Sequence, residues 1–254
     1  MGALQTIQGW LEYDGCRGVN FSGNSGLGKI GSTGFLLGAV FGGHVAMVAV
    51  GLLVDVGEWN ALILQWSVYM SLLCLFHFME FFTTAVRQPA SLGYSSFVVN
   101  HSLSYTIAAL LSWLEFWLES FVFRGRKSNA TCMLIGLVLV IGGQGIRTLA
   151  MWSCGEHFDH QIMEHRRDDH KLVKRGIYSV LRHPSYFGWF YWSVGTQLLL
   201  CNPLCTVAYA LASWHFFSGR IPYEEKTLLS FYRQEYVDYM KTTWIGIPFI
   251  TSQA

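Results

Sequence analysis

Six runs of apolar residues constrain this chain more than any other feature. They cover roughly residues 31–54, 60–82, 102–123, 132–152, 185–201 and 203–219. A helix needs about 20 such residues to cross a bilayer. Charged residues make up only 13% of the chain, against about 25% in a soluble domain, and mean hydropathy is +0.33. The expected fold is an all-α integral membrane protein, a multi-pass transmembrane helical bundle of six spans. Residues 4–20 are less apolar and suit a short interfacial helix. Asn202-Pro203 is a tight-turn signature, so the last two runs form a helical hairpin. No repeat or low-complexity tract divides the chain, which predicts a single domain over 1–254.

Basic residues set the orientation. Of 17 Lys and Arg, only Arg124, Arg126 and Lys127 fall on one side of a six-span arrangement, and Arg147 lies inside a span. The other 13 fall in the N-terminal segment, 83–101, 153–184 and 220–254. That bias puts both termini and the long polar loops in the cytosol and requires an even span count. The N-terminus lacks the pattern of a cleaved secretion signal, leaving the first apolar helix as the membrane signal.

Several features point to packing rather than chemistry. Six cysteines without a CxxC pair read as small apolar thiols, not a disulfide framework. Gly34, Gly38 and Gly42, followed by Ala46, form a smooth helix ridge, for packing within the chain or for homodimerisation. His157, His160, His165 and His170 lack HExxH and lack Cys partners at zinc spacing, so no metal is expected. With a net charge of +1 and no long basic run, no nucleic-acid partner is expected either. Glu115, Gln144 and Arg147 lie inside spans, where ionisable residues are functional by default; Arg147 also has the length to snorkel to the nearby surface.

The chemistry concentrates where the longest polar stretch, 153–184, meets hydrocarbon. From Gly176 to Trp192 the sequence is GIYSVLRHPSYFGWFYW. His183 and Pro184 stand at the boundary, which suits an enzyme joining a water-soluble reagent to a lipid-bound one. Tyr178 and Tyr186 offer ring faces to a cation, and Pro184 fixes a bend. Upstream lies His170-Lys171-Leu172-Val173; downstream lies Arg220-Ile221-Pro222-Tyr223-Glu224-Glu225. Arg220 and Glu224, four apart, share a helix face.

This order of motifs resembles the C-terminal half of the isoprenylcysteine carboxyl methyltransferases. The resemblance covers most of 100–250, is strongest over 170–250 and is weak before residue 60. It implies cytosolic cofactor-binding loops, a cofactor and catalytic region of about 153–250, and a span count nearer eight. The implied cofactor is S-adenosylmethionine, with S-adenosylhomocysteine as product. The implied cofactor contacts are Met163, His170, Lys171, Leu172, Val173, Tyr178, His183, Pro184, Ser185, Tyr186 and Glu224. Met163 departs from the polar residue often found in relatives. Arg220 is implied as the catalytic residue that binds the substrate carboxylate, with Glu225 supporting or solvated. The implied substrate is the C-terminal prenylcysteine carboxylate of processed CaaX proteins such as small GTPases. The expected place is the endoplasmic reticulum membrane, active site toward the cytosol. Trp113, Phe116 and Trp117 are expected to line a lateral route for the prenyl chain. Two other classes stay open: an NADPH-dependent membrane sterol reductase, for which the chain is short and lacks a nicotinamide motif, and a non-enzymatic transporter or scaffold.

Overall fold

A computed structural model describes residues 27–54, 57–99, 102–123, 127, 129–158, 160–165 and 171–251. The expected helix at 4–20, His170, Arg124 and Arg126 lie outside the described residues. Seven α-helices follow in order: α1 Leu27–Leu53, α2 Gly57–Arg87, α3 Leu103–Val122, α4 Ala130–Cys154, α5 Pro184–Leu199, α6 Pro203–Tyr232 and α7 Gln234–Thr242. Six of them coincide with the six apolar runs. Their starts are written in the sequence. Ser102 and Asn129 cap α3 and α4 by accepting the backbone N–H of Tyr105 and Cys132. Pro184 and Pro203 occupy the first turns of α5 and α6, where a missing N–H costs nothing.

Three described helical segments, Gly28–Leu53, Ala61–Arg87 and Ala130–His157, are long and apolar enough to cross a membrane. That is fewer than the six expected. The reason is physical: α5 has 16 residues, about 24 Å of helix against a hydrocarbon core of about 30 Å. Helix α3 carries Glu115 and Glu119, and the second half of α6 is charged.

The tightest packing is between α4 and α5, and it depends on glycine. A Cβ at Gly136 would stand 2.3 Å from the Leu199 backbone nitrogen; one at Gly143 would stand 2.6 Å from the Gly188 carbonyl oxygen. Gly188 and Gly195 return the same constraint from α5. The ridge at Gly34, Gly38 and Gly42 behaves differently. Nothing lies within 4 Å of a Cβ at Gly38 or Gly42, and Gly34 only approaches Phe97. Packing of that ridge within the chain is therefore not what the described residues contain.

The α5–α6 turn accounts for Glu115 and Lys127. Both Glu115 carboxylate oxygens accept backbone N–H groups at the start of α6, from Leu204 at 2.8 Å and Cys205 at 2.7 Å. A carboxylate there satisfies orphan donors and complements the helix dipole. Lys127 donates to the Asn202 side chain at 2.8 Å and to the Cys201 carbonyl at 3.1 Å, and pairs with Glu119. Phe116 is fully buried beside Trp66, with Lys127 over its ring, and Trp113 donates to the Tyr69 hydroxyl. Phe116 is thus core at the hairpin turn, not the lining of a lateral route.

Candidate active site

At the opposite end of α5 the 171–186 segment, the second half of α6 and α7 enclose one cleft. Gly176, at φ +63°, turns the chain back against Ser153. Leu181 and Trp244 form a parallel bridge, and the Tyr239 hydroxyl donates to the Tyr178 carbonyl at 2.6 Å. These contacts tie the C-terminal segment over the motif loop.

Most of the expected cofactor residues converge here. Met163, Lys171, Leu172, Val173, Tyr178, His183, Ser185, Tyr186 and Glu224 all line the cleft. Pro184 is buried one step behind them, opening α5. His170 lies outside the described residues, although Lys171 beside it is in the wall. Ser185 lines the cleft, but its hydroxyl accepts from Arg147 at 2.9 Å.

Sequence reasoning missed several lining residues. Arg182, Phe231, Tyr232, Tyr236 and Tyr239 are among the other residues of the wall. A signal existed: Tyr232, Tyr236 and Tyr239 recur at helical spacing across the start of α7. Burial, followed by the neighbouring Cys154, holds the Tyr178 phenol well above its ordinary value, so Tyr178 is a neutral ring and hydroxyl at physiological pH.

The electrostatics favour a cationic ligand. Glu224 Oε2 is buried and makes no hydrogen bond to a described residue; His183 Nδ1 stands 3.8 Å from it. Such an oxygen loses its hydration without a replacement. The same cleft is lined by the Tyr186 ring, stacked 5.6 Å from the His183 ring, and by the apolar Leu172, Val173 and Leu228.

Arg220 sits at the edge of this cleft. Its Nε donates to the Tyr186 hydroxyl at 2.9 Å and its Nη2 to the His160 carbonyl at 2.6 Å. The guanidinium also lies over the Tyr186 and Phe216 rings. Two of its five N–H donors are thus engaged with described residues, which fixes the plane of the fork.

Arg147 does not snorkel. It is buried and grips Glu80 with two parallel hydrogen bonds, Nε to Oε1 at 2.6 Å and Nη2 to Oε2 at 2.7 Å. Glu80 is 1% exposed, and His160 Nε2 lies 3.3 Å from its Oε2. Sequence reasoning did not single out Glu80, because no spacing rule links residues 67 positions apart. The pair joins α2, α4 and, through Ser185, α5.

Comparison with known proteins gives the family. The profile of the isoprenylcysteine carboxyl methyltransferase (ICMT) family matches residues 134–230. A protein-S-isoprenylcysteine O-methyltransferase of Saccharomyces cerevisiae is 40% identical over 230 residues, covering 88% of this chain and 92% of the yeast protein. The chain belongs to the isoprenylcysteine carboxyl methyltransferase family. Family members from Xenopus laevis and Homo sapiens are each 48% identical over 182 residues, 72% of this chain. The match spans 63% and 64% of those two proteins, just under two thirds of their length. A solved structure described as a eukaryotic intramembrane Ras methyltransferase of this family superimposes with a TM-score of 0.82 at 39% identity, over 99% of this chain and 88% of that one. This family member is therefore an all-α, multi-pass membrane protein.

Proposed function

We propose that the chain transfers a methyl group from S-adenosylmethionine to the C-terminal prenylcysteine carboxylate of processed CaaX proteins, small GTPases among them. The observation that carries this reading is the cleft between the start of α5 and the second half of α6. It combines an orphaned buried carboxylate oxygen, aromatic walls and an oriented arginine at its rim. That donor set fits the cofactor: an acceptor for an ammonium, ring faces for a cation, and apolar surface for a base.

In this reading Glu224 and His183 receive the amino-acid end, and Tyr178, Tyr186, Ser185, Met163 and residues 170–173 surround the rest, with Pro184 setting the bend. When bound, S-adenosylmethionine supplies an electrophilic methyl on a sulfonium. An α-carboxylate with a pKa of about 3.3–3.7 is already ionised at neutral pH, so no side chain needs to act as base. Arg220 holds and orients that carboxylate; placement is its contribution to rate. Tyr186 and His160 hold Arg220 in turn. The walls exclude water, which favours merging two opposite charges into neutral products.

The whole of 1–254 forms one membrane domain, with cofactor and catalytic region at about 153–250. The helices α1 to α5 and the apolar first half of α6, residues 203–219, constitute six crossings, with α5 shorter than the hydrocarbon core. The charge bias of 13 against three supports cytosolic termini and a cytosolic active site, and the family reading suggests the endoplasmic reticulum membrane. Family membership argues against the NADPH-dependent and non-enzymatic alternatives. The test is transfer of a labelled methyl group to a minimal prenylcysteine by the purified chain in detergent. Label in a base-labile ester supports the reading; absence of ester from folded protein refutes it.

A further inference from the structure

Glu225 does not follow Glu224 into the cleft. It is 2% exposed and faces the reverse side of the motif loop. Its Oε1 accepts Arg182 Nε at 2.6 Å and lies 3.1 Å from His183 Nε2. Arg182 is itself tied to the Thr243 carbonyl at 2.6 Å. The His183 ring is clamped in one plane by the Tyr186 ring, only 6° from parallel. An ionised carboxylate is an acceptor only. The hydrogen in the His183–Glu225 contact therefore belongs to Nε2. In the neutral ring Nδ1 is then a bare acceptor, and it faces another, Glu224 Oε2, across 3.8 Å.

Two acceptors facing each other with no hydrogen between them repel. A cation carrying several N–H donors relieves both. We propose that Glu225 is a positioning residue that fixes His183 as an acceptor, so that His183 Nδ1 and Glu224 Oε2 together take the ammonium of the cofactor's amino-acid end. This rests on the S-adenosylmethionine reading and deepens it. It assigns His183 to the ammonium within that end, and it gives the second glutamate of the Glu224-Glu225 pair a role distinct from the first.

The test uses the full chain in detergent with S-adenosylhomocysteine and its deamino analogue as calorimetric probes. Glu225→Gln keeps the shape but not the charge. It weakens S-adenosylhomocysteine about tenfold, the scale of one charge-assisted hydrogen bond. It leaves the deamino analogue within about twofold and adds less than about twofold in a His183→Ala background, as expected for residues acting as a unit. Equal losses for both probes, or a full additional loss beside His183→Ala, overturn the proposal and assign Glu225 to the fold. Nitrogen-15 spectra of histidine-labelled wild-type protein need no variant. Hydrogen on Nε2 alone supports the proposal; hydrogen on Nδ1, alone or with Nε2, overturns it. Failure of wild type to bind S-adenosylhomocysteine at all refutes the cofactor reading instead, which separates the two claims.

Discussion

Arg220 and Tyr186, 34 residues apart in sequence, meet at 2.9 Å between Nε and the phenolic oxygen. One stands on α6 and the other on α5, so the α5–α6 hairpin sets the direction of the guanidinium. The same Tyr186 ring stacks on His183. The arginine at the rim and the acceptors in the cleft are thereby held by one side chain.

Arg220→Lys retains charge but not the planar fork. We expect S-adenosylmethionine affinity to stay within about twofold while the rate of methyl transfer falls roughly ten- to a hundredfold, the loss of one charge-assisted contact. Arg220→Ala is expected to be worse. Steady-state kinetics and calorimetry on the same preparations measure both. Wild-type efficiency in a folded Arg220→Ala protein rules out the clamp.

Breaking the Glu80–Arg147 pair leaves one buried charge alone, which costs about 3–5 kcal/mol. Glu80→Leu and Arg147→Met are each expected to lower the unfolding temperature in detergent strongly. The double variant is expected to recover much of the loss, since its two side chains remove both charges together. Additive losses in the double variant would show that the pair is not the source of the effect.

Much of the fold was legible in the sequence, because an apolar run long enough for a membrane forces a helix and Pro, Ser and Asn mark where it begins. Much of the cleft was legible for a similar reason: Lys171 to Tyr186 is nearly contiguous, so its members meet by local chain geometry. What escaped depends on distant residues. Glu80 finds Arg147, Arg182 finds Glu225, and Glu115 finds the start of α6 only once the helices pack. Glycine was misleading in one place and overlooked in another. The regular ridge at Gly34, Gly38 and Gly42 meets almost nothing, whereas the sparser Gly136, Gly143, Gly188 and Gly195 carry the closest contact in the bundle.

That contrast is testable. Gly143→Ala or Gly188→Ala forces α4 and α5 apart and is expected to cost about 1–3 kcal/mol or more, as overpacking does. Gly38→Ala and Gly42→Ala meet open space and are expected to be neutral or slightly stabilising through helix propensity. Thermal unfolding of the four variants side by side decides it; destabilisation by Gly38→Ala would point to a partner on that ridge.

Burial raises the Glu225 carboxyl, but the hydrogen bonds from His183 and Arg182 and the Arg182 charge outweigh it, and the group sits below its ordinary value. Glu224 and Tyr236 are the other titratable groups acting on this cluster. A carboxyl with a depressed folded value adds stability above its unfolded value, about 4.3, and loses it as pH falls through the folded one. The stability gap between wild type and Glu225→Gln is therefore expected to be full at pH 6 and to shrink below about pH 4.3. Unfolding curves across that range measure it, and a gap that stays constant contradicts the pairing.

Orientation has its own check. Single cysteines introduced at exposed positions in 171–180 and near Lys241 are expected to react with an impermeant reagent on sealed microsomes without permeabilisation. Labelling only after permeabilisation reverses the topology.

The most direct measurement of the central claim is methyl transfer by the purified chain to two ligands that differ only at the terminus: a prenylcysteine with a free carboxylate and its amide-capped counterpart. We predict a base-labile methyl ester on the free acid and none on the amide. Equal methylation of both ligands, or no methylation of the acid by protein that binds S-adenosylhomocysteine, would contradict the account.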